Sequence, residues 1–274
     1  MTAVDLAAAP PLARPHAWDL VATDYTRDLA PHCARFARDA LAYLALPEGA
    51  PVIDVAAGPG TLALLAAQRG LAVTAVDFSP DMIALLAARA RDQGLRVAAS
   101  VGDGHALAFA DAAFAAAFSI FGLMFFADRA RGAAELRRVV APGGSVVVGS
   151  WAPLDEVPAL AALFAALRRA APEIAMPAVP AQLGRSDEVR DLLIAAGLRD
   201  VRVHTVAHAL SYASPAELWS SFALSAAPVA LVRERVGEPR FAEISAAAIT
   251  ELGATLGPGP VDAPMPAHLG IGVR

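Results

Sequence analysis

Three carboxylates stand where apolar runs stop, and a loop of small residues follows the first. Asp54 lies inside "VIDVAAGPG" (52–60), Asp77 closes "LAVTAVD", and Asp103 sits in "VGDG". A buried strand avoids a carboxylate unless something pairs with it. The loop Ala56-Ala57-Gly58-Pro59-Gly60 has glycine where a backbone must approach a ligand. It departs from the G-x-G-x-x-G loop that carries backbone N–H groups and a helix end to a pyrophosphate: its first small residue is alanine, and Pro59 separates the glycines. A carboxylate just upstream would also repel a pyrophosphate, whereas it suits a cationic amino-acid end. Asp77, roughly 20 residues beyond the loop, is placed to accept both hydroxyls of a ribose. Asp103 is placed to accept from an exocyclic amine of adenine.

An amino-acid end, a ribose and an adenine, with no phosphate cradle, describe S-adenosylmethionine better than NAD. Such a site needs strands that end together. Strand "PVIDVAA" leads to helix "TLALLAAQR", strand "LAVTAVD" and helix "SPDMIALLAARARDQ". Strands "LRVAASVGD" and "FAAAFSIF" follow, then helix "DRARGAAELRRVV" and strand "SVVVGSW". Short apolar runs alternating with amphipathic helices predict a parallel sheet covered on both faces, with ligands beyond the carboxyl ends of the strands. Residues 1–15, rich in small residues and proline, read as flexible. Residues 17–46 read as two helices broken at Pro31. Helices are expected over 157–171, 186–196, 214–226 and 238–256, and strands over 198–210 and 267–274. The fold class is α/β, a Rossmann-like seven-stranded, mostly parallel sheet. It forms a single domain over 1–274: an N-terminal helical cap (1–49), a cofactor-binding core (50–151), and a C-terminal part (152–274) with a helical insertion on the acceptor side.

Composition removes several classes of function. The 274 residues are 57% hydrophobic and 18% charged with net charge −5, which favours a large core and disfavours nucleic acid as the partner. One cysteine, Cys33, excludes an internal disulfide and a cysteine metal cage. The absence of lysine excludes Schiff-base and pyridoxal chemistry and the P-loop. No signal peptide is read at the start, and "AAFAAAFSIFGLMFFA" is shorter than the ~20 residues of a membrane helix, so a soluble cytoplasmic protein with no membrane span is expected.

Residues 50–151 resemble a class I S-adenosylmethionine-dependent methyltransferase. "VIDVAAGPG" is similar to the family's first motif and "AVDFSPDMIALLAARA" to its second. "VGDGHALAFADAAFAAAFSIFGLMFF" and "DRARGAAELRRVVAPGGSVVVGSW" match the later strands and the last core helix. The branch resembled is the small-molecule one of ubiquinone and menaquinone C-methyltransferases, which usually has glycine where Ala56 stands. The resemblance implies that Gly58, Gly60 and the Ala56 backbone approach the methionyl part and that Asp54 meets the amino group. Asp77 takes the ribose, Phe78 and Met82 flank the adenine, and Asp103, Gly104 and His105 face its edge. Ser119 lies near the methionyl end, and Tyr25 resembles a tyrosine that lids the site. Gly60, Phe78 and His105 also admit purely structural readings.

The residues after the fourth strand, Phe121 to Phe125, face the acceptor in such enzymes. They are apolar, with neither an Asn/Asp-Pro-Pro-Tyr signature nor magnesium-binding acids, so a small apolar or aromatic acceptor is expected. Phe121, Met124, Trp219 and Phe222 are the candidate contacts, Trp219 and Phe222 with packing as the alternative. No metal is expected. Candidate bases are weak: His204 and His208 share a strand face about 13 Å apart at ~3.3 Å per residue, and Tyr25, Tyr212 and His268 remain. The leading function is methyl transfer from S-adenosylmethionine to oxygen, carbon or nitrogen of a small metabolite. Its rivals are a methyltransferase-fold protein that binds the cofactor without transfer, such as a cyclase, and an NAD-dependent oxidoreductase.

Overall fold

Three short helices precede the first strand: α1 (Pro15–Asp19), α2 (Ala22–Asp28) and α3 (Ala30–Ala42). The structure, a computed structural model, describes residues 9–175 and 183–274. Of the stretch expected to be flexible, 1–8 lie outside the described residues. The expectation is corrected for 9–15, where Pro11–Ala13 form a 3-10 turn with Leu12 and Ala13 buried. The expected break near Pro31 falls at Leu29, between α2 and α3, with Pro31 in the first turn of α3, where its missing N–H costs nothing; a further break at 20–21 separates α1 from α2. Apolar spacing turns one face of α3 inward, burying His32, Cys33, Phe36, Ala37, Ala40 and Leu41.

The alternation then runs as read: β1 (Pro51–Val55), α4 (Thr61–Gln68), β2 (Ala72–Asp77), α5 (Pro80–Asp92), β3 (Val97–Val101), β4 (Phe114–Ile120), α6 (Arg129–Val139) and β5 (Val140–Trp151). Ser79 caps α5 by accepting the Met82 N–H at 3.1 Å, and Asp128 caps α6 by accepting that of Arg131 at 2.9 Å. The remainder is α7 (Pro158–Ala170), α8 (Ser186–Ala195), β6 (Arg199–Tyr212), α9 (Pro215–Ser225), α10 (Ala227–Val236), α11 (Glu238–Leu256) and β7 (Val261–Val273). The expected helix–glycine–strand unit is present, with Gly197 at φ +85° after α8. The reading omitted α10 and began β7 six residues late.

The seven strands form one sheet in the order β3-β2-β1-β4-β5-β7-β6. β1 to β5 pair in parallel, and β7 runs antiparallel to both β5 and β6. Side chains of α3 and α4 pack on one face with Val52, Ala75 and Phe118, while α6 and α8 cover the other over Ile53, Ala117 and Val146. A further core joins α7, α9 and α11 to the ends of β6 and β7. The order reverses between β1 and β4, so the crevice beyond their carboxyl ends is where this topology leaves room for a ligand. Among the described residues no single helix is long and apolar enough to cross a membrane.

Candidate functional site

At the end of β1 the chain turns through three left-handed residues, Ala56 (φ +56°), Gly58 (+54°) and Gly60 (+84°), before α4 begins. Asp77 holds this turn. Its Oδ2 accepts the Gly58 N–H at 2.7 Å, and its Oδ1 accepts that of Ser79 at 2.9 Å. Asp54 Oδ2 accepts the Ala63 N–H of α4 at 3.1 Å. Both carboxylates are buried, and among the described residues neither forms a salt bridge. Burial pushes the Asp54 carboxyl up to about 8, offset in part by the Ala63 N–H. Burial also raises Asp77 to about 6, against the lowering effect of the Ser79 and Gly58 N–H groups. Two buried acids with no cation beside them suit a cationic, hydroxyl-bearing ligand.

Beyond β3, Asp103 Oδ1 accepts from the backbone N–H of His105 at 2.8 Å and from its Nδ1 at 2.6 Å. His105 Nε2 accepts the Asp128 N–H at 3.3 Å, which fixes the proton on Nδ1. The ring is buried against Phe126, 4.6 Å between centroids. Both nitrogens being taken, His105 is a wall of the site, with no spare valence for a base.

These groups line one concave cleft beyond the carboxyl ends of the strands. Tyr25, Asp54, Ala56, Gly58, Asp77, Phe78, Met82, Asp103, Gly104 and His105 all contribute to it. Two named residues, Gly60 and Ser119, lie outside this lining. Gly60 lies beneath the loop, where a Cβ would come within 2.6 Å of Leu86. Ser119 is fully buried, and its Oγ accepts the Leu123 N–H at 3.1 Å, capping the turn after β4.

A second, larger chamber adjoins the cleft. The two share Trp18, Tyr25, Cys33, Phe121 and Phe125 as a common wall. Phe121, Met124 and Phe222 line the chamber. Trp219 does not: it is 2% exposed and stacks near Phe241, 6.4 Å between centroids, in the core under α9 and α11. Residues the sequence reading missed include Trp18, His32, Trp151 and Phe164. Among these His32 shares the buried face of α3 with Cys33 and Phe36, a helical spacing visible in the sequence.

Phe121 adopts φ +63°, unusual for a bulky residue, and is held there by its N–H on the Gly149 carbonyl at 3.0 Å and by stacking on Trp151 at 3.6 Å. The next residue must be glycine for a neighbouring reason. A Cβ at Gly122 would come within 2.3 Å of the Ala56 Cβ. The alanine of the loop therefore occupies space that Gly122 vacates. Gly122→Ala is expected to cost about 1–3 kcal/mol in urea unfolding. Adding Ala56→Gly should recover most of it, because the opposing methyl and the left-handed strain leave together. Simple additivity of the two changes would show that this contact is not the cause.

The candidate bases of β6 and β7 are engaged elsewhere. His204 stacks on Tyr43 at 4.3 Å, and His208 pairs with Asp39 at 2.7 Å. His268 is bonded to Thr205 Oγ1 and to the Gly184 carbonyl, both at 2.9 Å. Neither these nor Tyr212 line either cavity. Among the described residues no cluster of three or more His, Cys, Asp or Glu is arranged to hold a metal.

The architecture is the Rossmann-like methyltransferase fold. A putative methyltransferase from Bacillus halodurans C-125 superposes with a TM-score of 0.59 at 18% identity, over 86% of this chain and 97% of its own. The [4+2]-cyclase SpnF gives 0.59 at 22%, over 88% and 81%. The phosphoethanolamine N-methyltransferase 2 of Haemonchus contortus, in complex with S-adenosyl-L-methionine, gives 0.55 at 16%, over 88% and 52%. Residues 52–144, which hold the loop, Asp54, Asp77 and Asp103, match the family described as a methyltransferase domain. An uncharacterized protein of Mycobacterium tuberculosis H37Rv, Rv1405c, is 35% identical over 103 residues. That match spans 38% of this chain and 38% of the relative.

Proposed function

We propose that this protein transfers a methyl group from S-adenosylmethionine to a small, largely apolar or aromatic acceptor. The observation that carries the reading is the pair of adjoining cavities. One is ringed by strand-end carboxylates; the other is apolar, and they share a wall of aromatic side chains. Bound in the first, S-adenosylmethionine supplies a methyl group on a positively charged sulfur. Asp54 binds the amino end, Asp77 the ribose hydroxyls, and Asp103 with Gly104 and His105 the adenine edge. Phe78 and Met82 flank the base, and Ala56 and Gly58 bring the backbone to the methionyl part. Each Asp77 oxygen already accepts one N–H and retains capacity for a ligand hydroxyl.

The acceptor enters the second chamber, where Phe121, Met124 and Phe222 exclude water and fix its plane. Displacement at the methyl carbon gains chiefly from alignment, worth about 7–11 kcal/mol, and from a dry site. Residues 1–49 act as the cap, 50–151 as the cofactor-binding core and 152–274 as the acceptor side of one catalytic unit. The likeness of residues 50–151 to ubiquinone-type C-methyltransferases favours a small-molecule acceptor over a macromolecule.

Calorimetric titration with S-adenosylmethionine and with NAD, alongside labelled methyl transfer to extracted metabolites, tests the reading. Saturable S-adenosylmethionine binding with label recovered in a small molecule is expected. Binding without transfer to any metabolite favours a cyclase-like or non-catalytic role, and preference for NAD overturns the assignment.

A further inference from the structure

His32 lines the apolar chamber from α3, beside the shared wall residue Cys33. It is 5% exposed, and neither ring nitrogen has a hydrogen-bond partner. Among the described residues these are the only buried side-chain polar atoms left so. The other buried histidines, His105 and His268, use both nitrogens. An unpartnered buried polar group is a standing cost to the fold. The ring lines the chamber while both nitrogens are closed to water, so a small turn of the imidazole is what presents one of them to a ligand that brings the partner.

Its surroundings narrow the ligand. Phe36 meets the imidazole edge-on at 5.4 Å, and Trp151 lies nearly parallel to it, 15° between planes at 6.2 Å. Trp151 in turn stacks on Phe121, the residue common to both cavities. The charged or titratable groups that bear on His32 are Arg35 of its own helix and His208 of β6. Asp155 and Arg168 line the chamber as exposed side chains at its solvent side. Burial first, then Arg35 and His208, pushes the imidazole down to about 4. The ring is therefore uncharged at neutral pH and offers a lone pair for a donor.

We propose that His32 is the acceptor-recognition residue: one of its ring nitrogens receives the hydroxyl hydrogen of a flat, otherwise apolar aromatic molecule held in the chamber. Calling that molecule the methyl acceptor rests on the function proposed above; the hydroxyl recognition does not. The probes are 1-naphthol and 1-methoxynaphthalene, one ring system with and without the O–H, titrated into the full chain with S-adenosylhomocysteine present.

The wild type should prefer the naphthol about tenfold, the effect of one hydrogen bond. His32→Phe should abolish the preference, leave ether binding within about twofold and raise the melting temperature by a few degrees, since the unpartnered group is gone. His32→Gln, which retains an acceptor oxygen, should keep part of the preference. Equal binding of both probes by the wild type, binding of neither, or a preference that survives in His32→Phe overturns the proposal. A lower melting temperature for His32→Phe would instead mark a packing role and also overturn it. Titration of S-adenosylhomocysteine alone reports on the cofactor separately: its failure beside a retained naphthol preference removes the methyltransferase reading and leaves His32 in place.

Discussion

Asp54→Asn is expected to weaken S-adenosylmethionine binding by about 10–100-fold, the effect of losing a charge-assisted hydrogen bond of roughly 1.5–3 kcal/mol. The amide is nearly isosteric and its oxygen can still accept the Ala63 N–H, so the loop should keep its shape. What disappears is the charge. The pH dependence makes the effect specific. Native Asp54 and Asp77 titrate near 8 and near 6, above the ~3.9 of an unfolded aspartate. Between those values the native state holds more protons than the unfolded one. The stability these two carboxyls contribute is therefore full below about pH 4 and is lost as pH rises through 6 and 8.

A ligand ammonium reverses that penalty by pairing with the ionised Asp54, and it must displace a proton to do so. Affinity should tighten between pH 6 and 8, toward tenfold per pH unit for one proton released. In Asp54→Asn that slope should flatten, leaving only the part due to Asp77. Calorimetry in buffers of different ionisation enthalpy counts the proton directly. A wild-type Kd that is level across this range, or an Asp54→Asn protein with unchanged affinity, removes Asp54 from the amino-group contact.

Trp219→Ala should lower stability by about 3–5 kcal/mol, the range for emptying a buried aromatic site. At this chain length that corresponds to a melting temperature lower by roughly 10 °C. Cofactor affinity, measured below the new transition, should stay within about twofold, because Trp219 reaches neither cavity. The indole packs with Phe241, and the Arg233 guanidinium lies 5.8 Å from that ring. Its neighbour Phe222, one turn along α9, does line the chamber. Phe222→Ala should therefore show the opposite pattern, with acceptor methylation falling more than stability. Unaltered melting of Trp219→Ala would return the indole to the chamber wall.

The contrast between these two aromatics shows where the sequence stops being informative. Trp219 and Phe222 are three residues apart on one helix and equally apolar, so local periodicity assigns both inward. Only the packing of α9 on α11 separates the one that faces the core from the one that faces the cavity. The strand-end carboxylates were legible because their chemistry contradicts their neighbours: an acid in an apolar run asks for a partner. Gly60 and Ser119 are ambiguous for the converse reason. Glycine and serine serve close packing and capping as readily as ligand contact, and motif position does not separate these uses. His32 offered a helical spacing and no chemical contradiction, since a histidine on a buried face normally finds a partner.

The late start given to β7 has a sharper cause. Pro264 and Pro266 argue against a strand, yet they lie in a segment, 261–266, that pairs with β6 alone. β5 joins β7 only from Ala267 onward. Proline is tolerated where a strand has a free side, and sequence does not reveal which part of a strand is flanked twice.

The helical cap has a consequence for how the chain is made. Trp18 meets Phe125 at 4.9 Å, Asp19 is hydrogen-bonded to Ser79, and His16 pairs with Glu234, 218 positions away. Leu12, Ala17 and Val21 pack against Ala227 and Ala230. The cap leaves the ribosome some 218 residues ahead of the last of these docking partners. Closing a loop of that span is entropically expensive, so it comes late. Until then the aromatic walls of both cavities stand open to water and to other nascent chains, which makes the growing polypeptide a natural client for chaperones. In refolding from denaturant, helical circular dichroism should recover first, and the environment of Trp18 should settle only in the final phase.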